Sequence, residues 1–253
     1  MKKLLTIITL LLGMTYMCFG ADNSLKDVEK NGKMVVGLDA TFAPMGYRDE
    51  NGELVGFDID LAKEVAKRMN VQVEFKPCEW DGILFDLRSK KIDMVWNGMT
   101  MTDSRKKQAL FSEPYFEDGQ MIFSKKENKI NKVNELEGKI VGVQLGSSAD
   151  IAVQKSSVFG KIKEIKKYST NVEALMDLEA GRLDAVVVDA VNGKYYNSKK
   201  DVLAYSEESL TKEYYGVAFR KQDKALRDKV QEKLDEMKND GTYNQIVAKW
   251  FGK

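Results

Sequence analysis

The sequence has no histidine, two cysteines and three prolines in 253 residues. Without histidine there is no Ser-His-Asp triad, no H-E-x-x-H zinc site and no imidazole general base. Cys18 and Cys78 lie too far apart for a C-x-x-C redox pair or a Cys-cluster zinc site. Neither G-x-x-x-x-G-K-[ST] nor G-x-G-x-x-G occurs, which removes the common phosphate-cradling loops. An excess of charge of one sign is lacking as well. With 40 Lys+Arg against 39 Asp+Glu, the chain has neither the field of a nucleic-acid coat protein nor that of a polybasic membrane binder. What remains is ordinary globular composition, 43% hydrophobic and 31% charged, long enough to bury one large core or two small ones.

The first segment reads as an address. Lys2 and Lys3 precede an apolar run from Leu4 to Leu12 that continues with few polar breaks to Phe19. This is the n-region and h-region of a signal peptide over residues 1–20, with Cys18 at −3 and Gly20 at −1 of a cut before Ala21. A membrane anchor fits less well, because the stretch is short, interrupted by Gly13 and closed by small residues. Lipidation at Cys18 is disfavoured by Met17, which stands where a lipobox has a small residue. Removing residues 1–20 leaves 38 basic and 39 acidic residues and the single cysteine Cys78. The exported chain therefore has no intramolecular disulfide and rests on its core.

From Lys33 onward short β-branched runs alternate with helical spacing, which predicts βαβ units and mostly parallel sheets. Expected strands are Met34–Leu38, Val71–Phe75 and Ile92–Trp96. Expected helices are Phe57–Met69, capped by Asp58 or Asp60, and Trp80–Ser89. After residue 120 the pattern restarts, with strands Ile140–Val143, Ile162–Tyr168 and Ala185–Val188 and helices Ser148–Ser157 and Asn171–Ala180. The two passages match loosely. Lys33-Met-Val-Val-Gly37 parallels Lys139-Ile-Val-Gly142, and Lys91-Ile-Asp93-Met-Val parallels Arg182-Leu-Asp184-Ala-Val. The reading is two similar α/β lobes: residues 21–117 form the first part of lobe one, 118–211 form lobe two, and 212–253 return to lobe one. Tyr115–Gln120 and Leu210–Tyr215 are the extended crossings. A strand at Val217–Arg220 and helices Lys224–Met237 and Tyr243–Phe251 complete lobe one.

A cleft between two such lobes collects strand C-termini and helix N-termini, so the turns after strands are where a ligand is held. They read Asp39-Ala-Thr41-Phe42, Asn97-Gly98-Met99-Thr100 through Arg105, Gln144-Leu-Gly146-Ser147-Ser148, and Asp189. This set supplies one guanidinium, carboxylates, hydroxyls and aromatic faces, which is the complement of a zwitterionic amino acid. Arg105 is suited to grip a carboxylate with two parallel bonds, and Asp189 to pair an ammonium. Blander readings stand beside these. Asp189, Asp39 and Ser148 have the chemistry of turn and cap residues, and Phe42 and Trp80 that of core aromatics. Trp96 and Trp250 are assigned to core, the methionines to core filling and the lysine-rich stretches to solvated faces.

At these residues the chain resembles the periplasmic solute-binding proteins of polar amino-acid ABC transporters (bacterial extracellular solute-binding protein family 3). Trp80-Asp81-Gly82 through Arg105 carries the resemblance most specifically, followed by Phe111-Ser-Glu-Pro114-Tyr115. Gly37-Leu-Asp39-Ala-Thr-Phe42-Ala-Pro44 and Gly56-Phe57-Asp58-Ile-Asp60-Leu-Ala62 fit as well. The resemblance implies two lobes joined by two crossovers, an open mixed sheet in each, and closure on one amino acid. It implies Arg105 on the carboxylate, helped by the Thr100 and Ser148 amides and hydroxyls, and Asp189 with the Gly98 carbonyl on the ammonium. Asp39, Phe42, Trp80, Asn97 and Gln144 would line the side-chain pocket, and Met99 and Ser147 are expected among the ligand-binding residues. Relatives often carry Ser-Ser or Ser-Gly where this chain has Asn97-Gly98.

The resulting expectation is an exported, periplasmic, monomeric binding protein, not an enzyme, with no cofactor, metal or nucleic acid. It would deliver its amino acid to the permease and ATPase of an ABC transporter. Asp39 favours arginine or lysine, with glutamine, histidine and cystine behind. The alternatives are an exported dehydratase-type enzyme or an amino-acid sensor on the same fold.

Overall fold

The structure, a computed structural model, describes residues 22–252. The segment expected to be a signal peptide, with Cys18, lies outside the described residues.

Two five-stranded sheets form the frame. In the first, the strands run in the order Gln72–Pro77, Lys33–Leu38, Met94–Val95, Ala218–Phe219, Leu110–Phe111. In the second, the order is Glu164–Tyr168, Ile140–Gln144, Ala185–Asp189, Gln120–Lys125, Leu203–Tyr205. The first three strands of each sheet are parallel and the next two are antiparallel to their neighbours. The two sheets thus share one topology, but the fourth strand comes from different parts of the chain. In lobe two it is the strand that enters the lobe, and in lobe one it is the strand formed after the return.

The internal match seen in the sequence is a structural equivalence. Asp93 accepts the Val35 N–H at 2.9 Å, and Asp184 accepts the Ile140 N–H at 2.7 Å. In each lobe the carboxylate before the third strand is tied two residues ahead of the glycine in the first. That glycine makes room for the neighbouring core residue. A Cβ on Gly37 would stand 2.3 Å from the Ile92 side chain, and one on Gly142 would stand 2.5 Å from Leu183.

Burial explains the strands. Ala185–Asp189 is buried at every position, as a central strand covered on both faces must be. The Phe57–Arg68 helix packs Phe57, Leu61, Ala62, Val65 and Ala66 with Met34, Val36 and Met94 of the first sheet. Its N-cap is Gly56, not Asp58 or Asp60. Asp58 is already inside the helix and fully buried, while Asp60 accepts bonds from Lys249 and the Trp250 indole N–H, tying the last helix down. The Trp80 segment is a short 3-10 turn, Trp80–Gly82, followed by the helix Ile83–Arg88. The strand expected at Ile92–Trp96 is regular only at Met94–Val95, although the Asp93 and Trp96 N–H groups flanking it still donate to the Val35 and Gly37 carbonyls at 2.8 and 3.3 Å.

The two passages between lobes pair with each other. Phe116–Asp118 and Glu213–Tyr215 form an antiparallel ribbon in which Glu213 faces Asp118 and Tyr215 faces Phe116. After it, Val217, Phe219, Leu226, Val230, Leu234 and Met237 join Met34, Val36, Phe57 and Trp96 in one core. The returning segment is therefore an integral part of lobe one.

Candidate functional site

The C-terminal ends of four strands converge on one cavity. It is lined by nine residues: Asp39, Phe42, Trp80, Asn97, Gly98, Gln144, Ser147, Ser148 and Asp189. Its empty space, about 250 Å³, includes the opening of the cleft to solvent. Asp39 follows the Lys33–Leu38 strand, Asn97 and Gly98 follow Met94–Val95, Gln144 ends its strand and Asp189 ends the buried Ala185–Asp189 strand.

Arg105 is buried but does not line this cavity; it lines a neighbouring one that shares Trp80. The Thr102 hydroxyl accepts the Arg105 N–H and starts the helix Asp103–Gln108, which sets the side chain inward. Its guanidinium donates to the Thr100 carbonyl at 3.1 Å and, across the cleft, to the Gly146 carbonyl at 3.2 Å. It also lies 5.4 Å from the Trp80 ring centroid, within cation–π range. Burial pulls the Arg105 pKa down from its ordinary value, against the nearby carboxylates of Asp189 and Glu213. Five N–H donors are available to a guanidinium, so two carbonyl bonds fix its plane and leave others for an anion.

Asp189 stands on the other lobe. It occupies the N-cap position of the helix Ala190–Lys200, yet its side chain makes no capping bond. It accepts instead from the Tyr215 hydroxyl at 2.6 Å. Burial, and then the charges of Asp118 and Glu213, push it up to about 7. A buried carboxylate among other carboxylates is the place where a ligand cation gains most.

Asp39 lines the cavity and divides its two oxygens. Its Oδ1 accepts the Thr41 N–H and hydroxyl at 2.9 and 2.6 Å, a local turn. Its Oδ2 faces the cleft and accepts the Gln144 amide at 2.8 Å. Asn97 holds the backbone beside it, accepting the Asp39 N–H at 3.0 Å, while its own buried Nδ2 has no partner. Gly98 has φ +56°, and a Cβ there would stand 2.6 Å from the Phe42 ring. Ser147 caps the helix Ser148–Lys155 by accepting the Asp150 N–H. Ser148 and Thr100 meet across the cleft at 3.1 Å. Of the remaining residues named from the sequence, Met99 packs into the lobe-one core with Ile83, Leu87 and Ile92.

Sequence reasoning missed a second layer. Glu213 accepts from Thr100 and Gln120 with one oxygen and from Thr211 with the other. Asp118 lies 2.6 Å from the same Tyr215 hydroxyl. Asp58 accepts the Gly98 N–H and the Tyr115 hydroxyl. The crossover residues carried a signal only as aromatic, extended passages. The lobes also touch away from the cavity, at Asn192 Nδ2 to the Ala43 carbonyl and at the Tyr47 and Tyr195 hydroxyls.

Among known proteins, the chain is 35% identical over 248 residues to the L-cystine-binding protein TcyJ of Escherichia coli strain K12, covering 97% of this chain and 92% of that one. It is 34% identical to the arginine-binding extracellular protein ArtP of Bacillus subtilis strain 168, covering 99% and 98%. Among solved structures, an ancestral arginine-binding protein bound to arginine is 48% identical with a TM-score of 0.84, covering 87% of this chain and 98% of that one. The family model described as bacterial extracellular solute-binding proteins, family 3, matches residues 34–253. The chain belongs to that family.

Proposed function

We propose that this protein binds one free L-amino acid between its lobes and delivers it, outside the cytoplasmic membrane, to the permease and ATPase of an ABC transporter. The observation that carries the reading is a buried guanidinium, Arg105, and a buried carboxylate, Asp189, on opposite lobes: Asp189 lines the cavity, and Arg105 is bonded to the Thr100 and Gly146 carbonyls next to its lining residues. An amino acid is the smallest common metabolite that presents the reverse pair. In this reading Arg105 receives the α-carboxylate, supported by the Thr100 and Ser148 segments. Asp189 and the Gly98 carbonyl receive the α-ammonium. Phe42 and Trp80 form the walls, and Asp39, Asn97 and Gln144 face the side chain.

The favoured side chain is cationic, arginine first and lysine next. Asp39 is 6% exposed and lines the cavity together with Phe42 and Trp80, so a cationic side chain held there gains a carboxylate and two aromatic faces. The names of relatives that bind arginine support this choice, and the cystine-binding relative marks its competitor.

A thermal-shift panel of L-amino acids on the mature protein, followed by calorimetry, tests the reading. A ligand at 100 times its Kd adds about 2.7 kcal/mol of stability. Arginine or lysine is expected to give the largest shift, with one site and Kd at or below ~1 μM. Absence of any shift or heat with every polar amino acid would overturn the function. A largest shift with cystine or an acidic amino acid would overturn the ligand assignment alone.

A further inference from the structure

The Tyr215 hydroxyl oxygen lies 2.6 Å from Asp189 Oδ1 and 2.6 Å from Asp118 Oδ2. A phenol has one hydrogen, so it can donate to only one of two carboxylates. With both ionised, the other would place an anionic oxygen against a phenol lone pair at strong-hydrogen-bond distance. The geometry closes only if a second proton is present. One carboxyl must be protonated and donate to the phenol oxygen while the phenol donates to the other.

The surroundings agree. The groups facing this unit are Asp118 on the outgoing crossover, Glu213 and Tyr215 on the returning one, Asp189 at the end of a lobe-two strand, and Arg105 on lobe one. That is three carboxylates against one guanidinium, and the guanidinium is already turned toward two carbonyls. Burial raises Asp118 to about 6, the same direction as Asp189. The main-chain N–H of Val191 also points at Asp118, 3.3 Å away, so the residue is fixed to the start of the helix that follows Asp189.

We propose that Asp118 and Tyr215, both on the crossover ribbon, are positioning residues of the ammonium site and share one proton with Asp189 that is released when a ligand ammonium arrives. The inference rests on the amino-acid reading of the cleft. The balance is simple: protonated protein plus zwitterion gives the complex plus one proton in solvent, with no other bond made or broken. The ammonium supplies the positive charge that the proton had supplied, and Tyr215 then donates to one ionised carboxylate. Because the two positioning residues sit on the crossovers, ligand charge is felt at the joint between the lobes and not only in the pocket wall.

The sign follows from linkage. Asp189 holds its proton more tightly before binding than after, so affinity is full above about pH 7 and falls as pH drops below it, by up to about tenfold per unit.

Calorimetric titration of the mature protein with L-arginine and with L-glutamine, at pH 6.5 in buffers of different ionisation heat, counts the protons. The expectation is release of roughly half to one proton for whichever of the two binds, equal for both if both bind, with affinity falling toward pH 5.5. Asp118→Asn lets the amide donate to the phenol, and is expected to cut the release severalfold and flatten the pH profile. Binding with buffer-independent heat between pH 5.5 and 8 would overturn the proposal and leave the amino-acid reading intact. No binding of either ligand would overturn both. Carbon-13 carboxyl shifts of the ligand-free protein give a readout without ligand. At least one of Asp118 and Asp189 is expected to titrate above pH 5.5, and ordinary midpoints near 4 for both would overturn the shared proton whatever binds.

Discussion

Asp58, buried in the first turn of its helix, accepts the backbone N–H of Gly98 at 2.7 Å. Tyr115 donates to the same oxygen at 3.0 Å. The helix thereby holds the turn whose glycine, at φ +56°, faces the ligand cavity. Asp58→Ala would leave a buried N–H and a buried phenol without an acceptor. It is expected to cost about 2–4 kcal/mol of stability and at least tenfold in amino-acid affinity. Asp58→Asn keeps an acceptor and should lose far less of both. Urea unfolding and calorimetry on the two variants check this, and equal losses would show that only the volume of the side chain matters.

The same carboxyl gives the ligand-free protein an unusual pH profile. Burial pushes Asp58 up to about 8 and Asp189 up to about 7. In the unfolded chain both return to about 3.9. The folded state therefore holds more protons between these limits. The stabilisation is complete below the unfolded value and is lost as pH rises through 7 and 8. Unfolding free energy is expected to rise as pH falls from 8.5 to 6, where ordinary surface carboxylates stay ionised. Asp58→Asn should reduce that rise, and a flat profile in the wild type would contradict the buried-carboxyl account.

Arg105→Lys keeps the charge and loses the planar fork. It is expected to weaken amino-acid binding by ~2 kcal/mol or more, since a buried ligand carboxylate would lose one of its paired donors and Trp80 its stacked guanidinium. The melting temperature without ligand should change little. Normal affinity in this variant would remove Arg105 from the binding site.

Selectivity is expected to follow Asp39. Asp39→Asn removes a charge partner from a cationic side chain but leaves an amide able to bond Gln144. Arginine and lysine should lose much more affinity than glutamine, by about 1–3 kcal/mol. Competition binding of the three ligands to both proteins decides it, and equal losses would show that Asp39 acts only through its turn with Thr41.

Contacts that never touch the ligand are expected to affect how long it stays. Asn192 donates to the Ala43 carbonyl at 2.6 Å, and the Tyr47 and Tyr195 hydroxyls meet at 2.8 Å. Both join the lobes outside the cavity wall. Asn192→Ala and Tyr195→Phe should each remove about 0.5–1.5 kcal/mol, mostly as faster ligand release. Stopped-flow displacement measures the rates. Unchanged release in both variants would show that the cavity contacts alone hold the lobes together.

Much of this arrangement is written locally. The Gly37/Asp93 and Gly142/Asp184 pairs were visible because each lobe repeats a short pattern, and each pair became one glycine contact and one carboxylate bond. Turns after strands could be found because strand ends are periodic in sequence. The carboxylate layer behind the cavity could not. Asp118 and Tyr215 stand 97 positions apart and meet only because two extended crossings pair. Nothing within either crossing says which face looks at Asp189. Asp58 was misread for a related reason. An acidic residue at a helix start has the pattern of a cap, and only the packing of Gly98 onto the helix turns it into a buried acceptor. Met99 follows the polar turn in sequence, but its side chain falls on the core side of that turn.

The borrowed fourth strand has a consequence for the order of folding. Lobe two is one uninterrupted stretch, and all the strands of its sheet lie between Gln120 and Tyr205. Lobe one cannot place Ala218–Phe219 beside Met94–Val95, or lay the Lys224–Asn239 helix on its core, until the end of the chain has been made. A chain growing from its N-terminus therefore reaches the unusual situation in which the half begun first is finished last. The later half is free to condense while the earlier one still waits for its missing fourth strand.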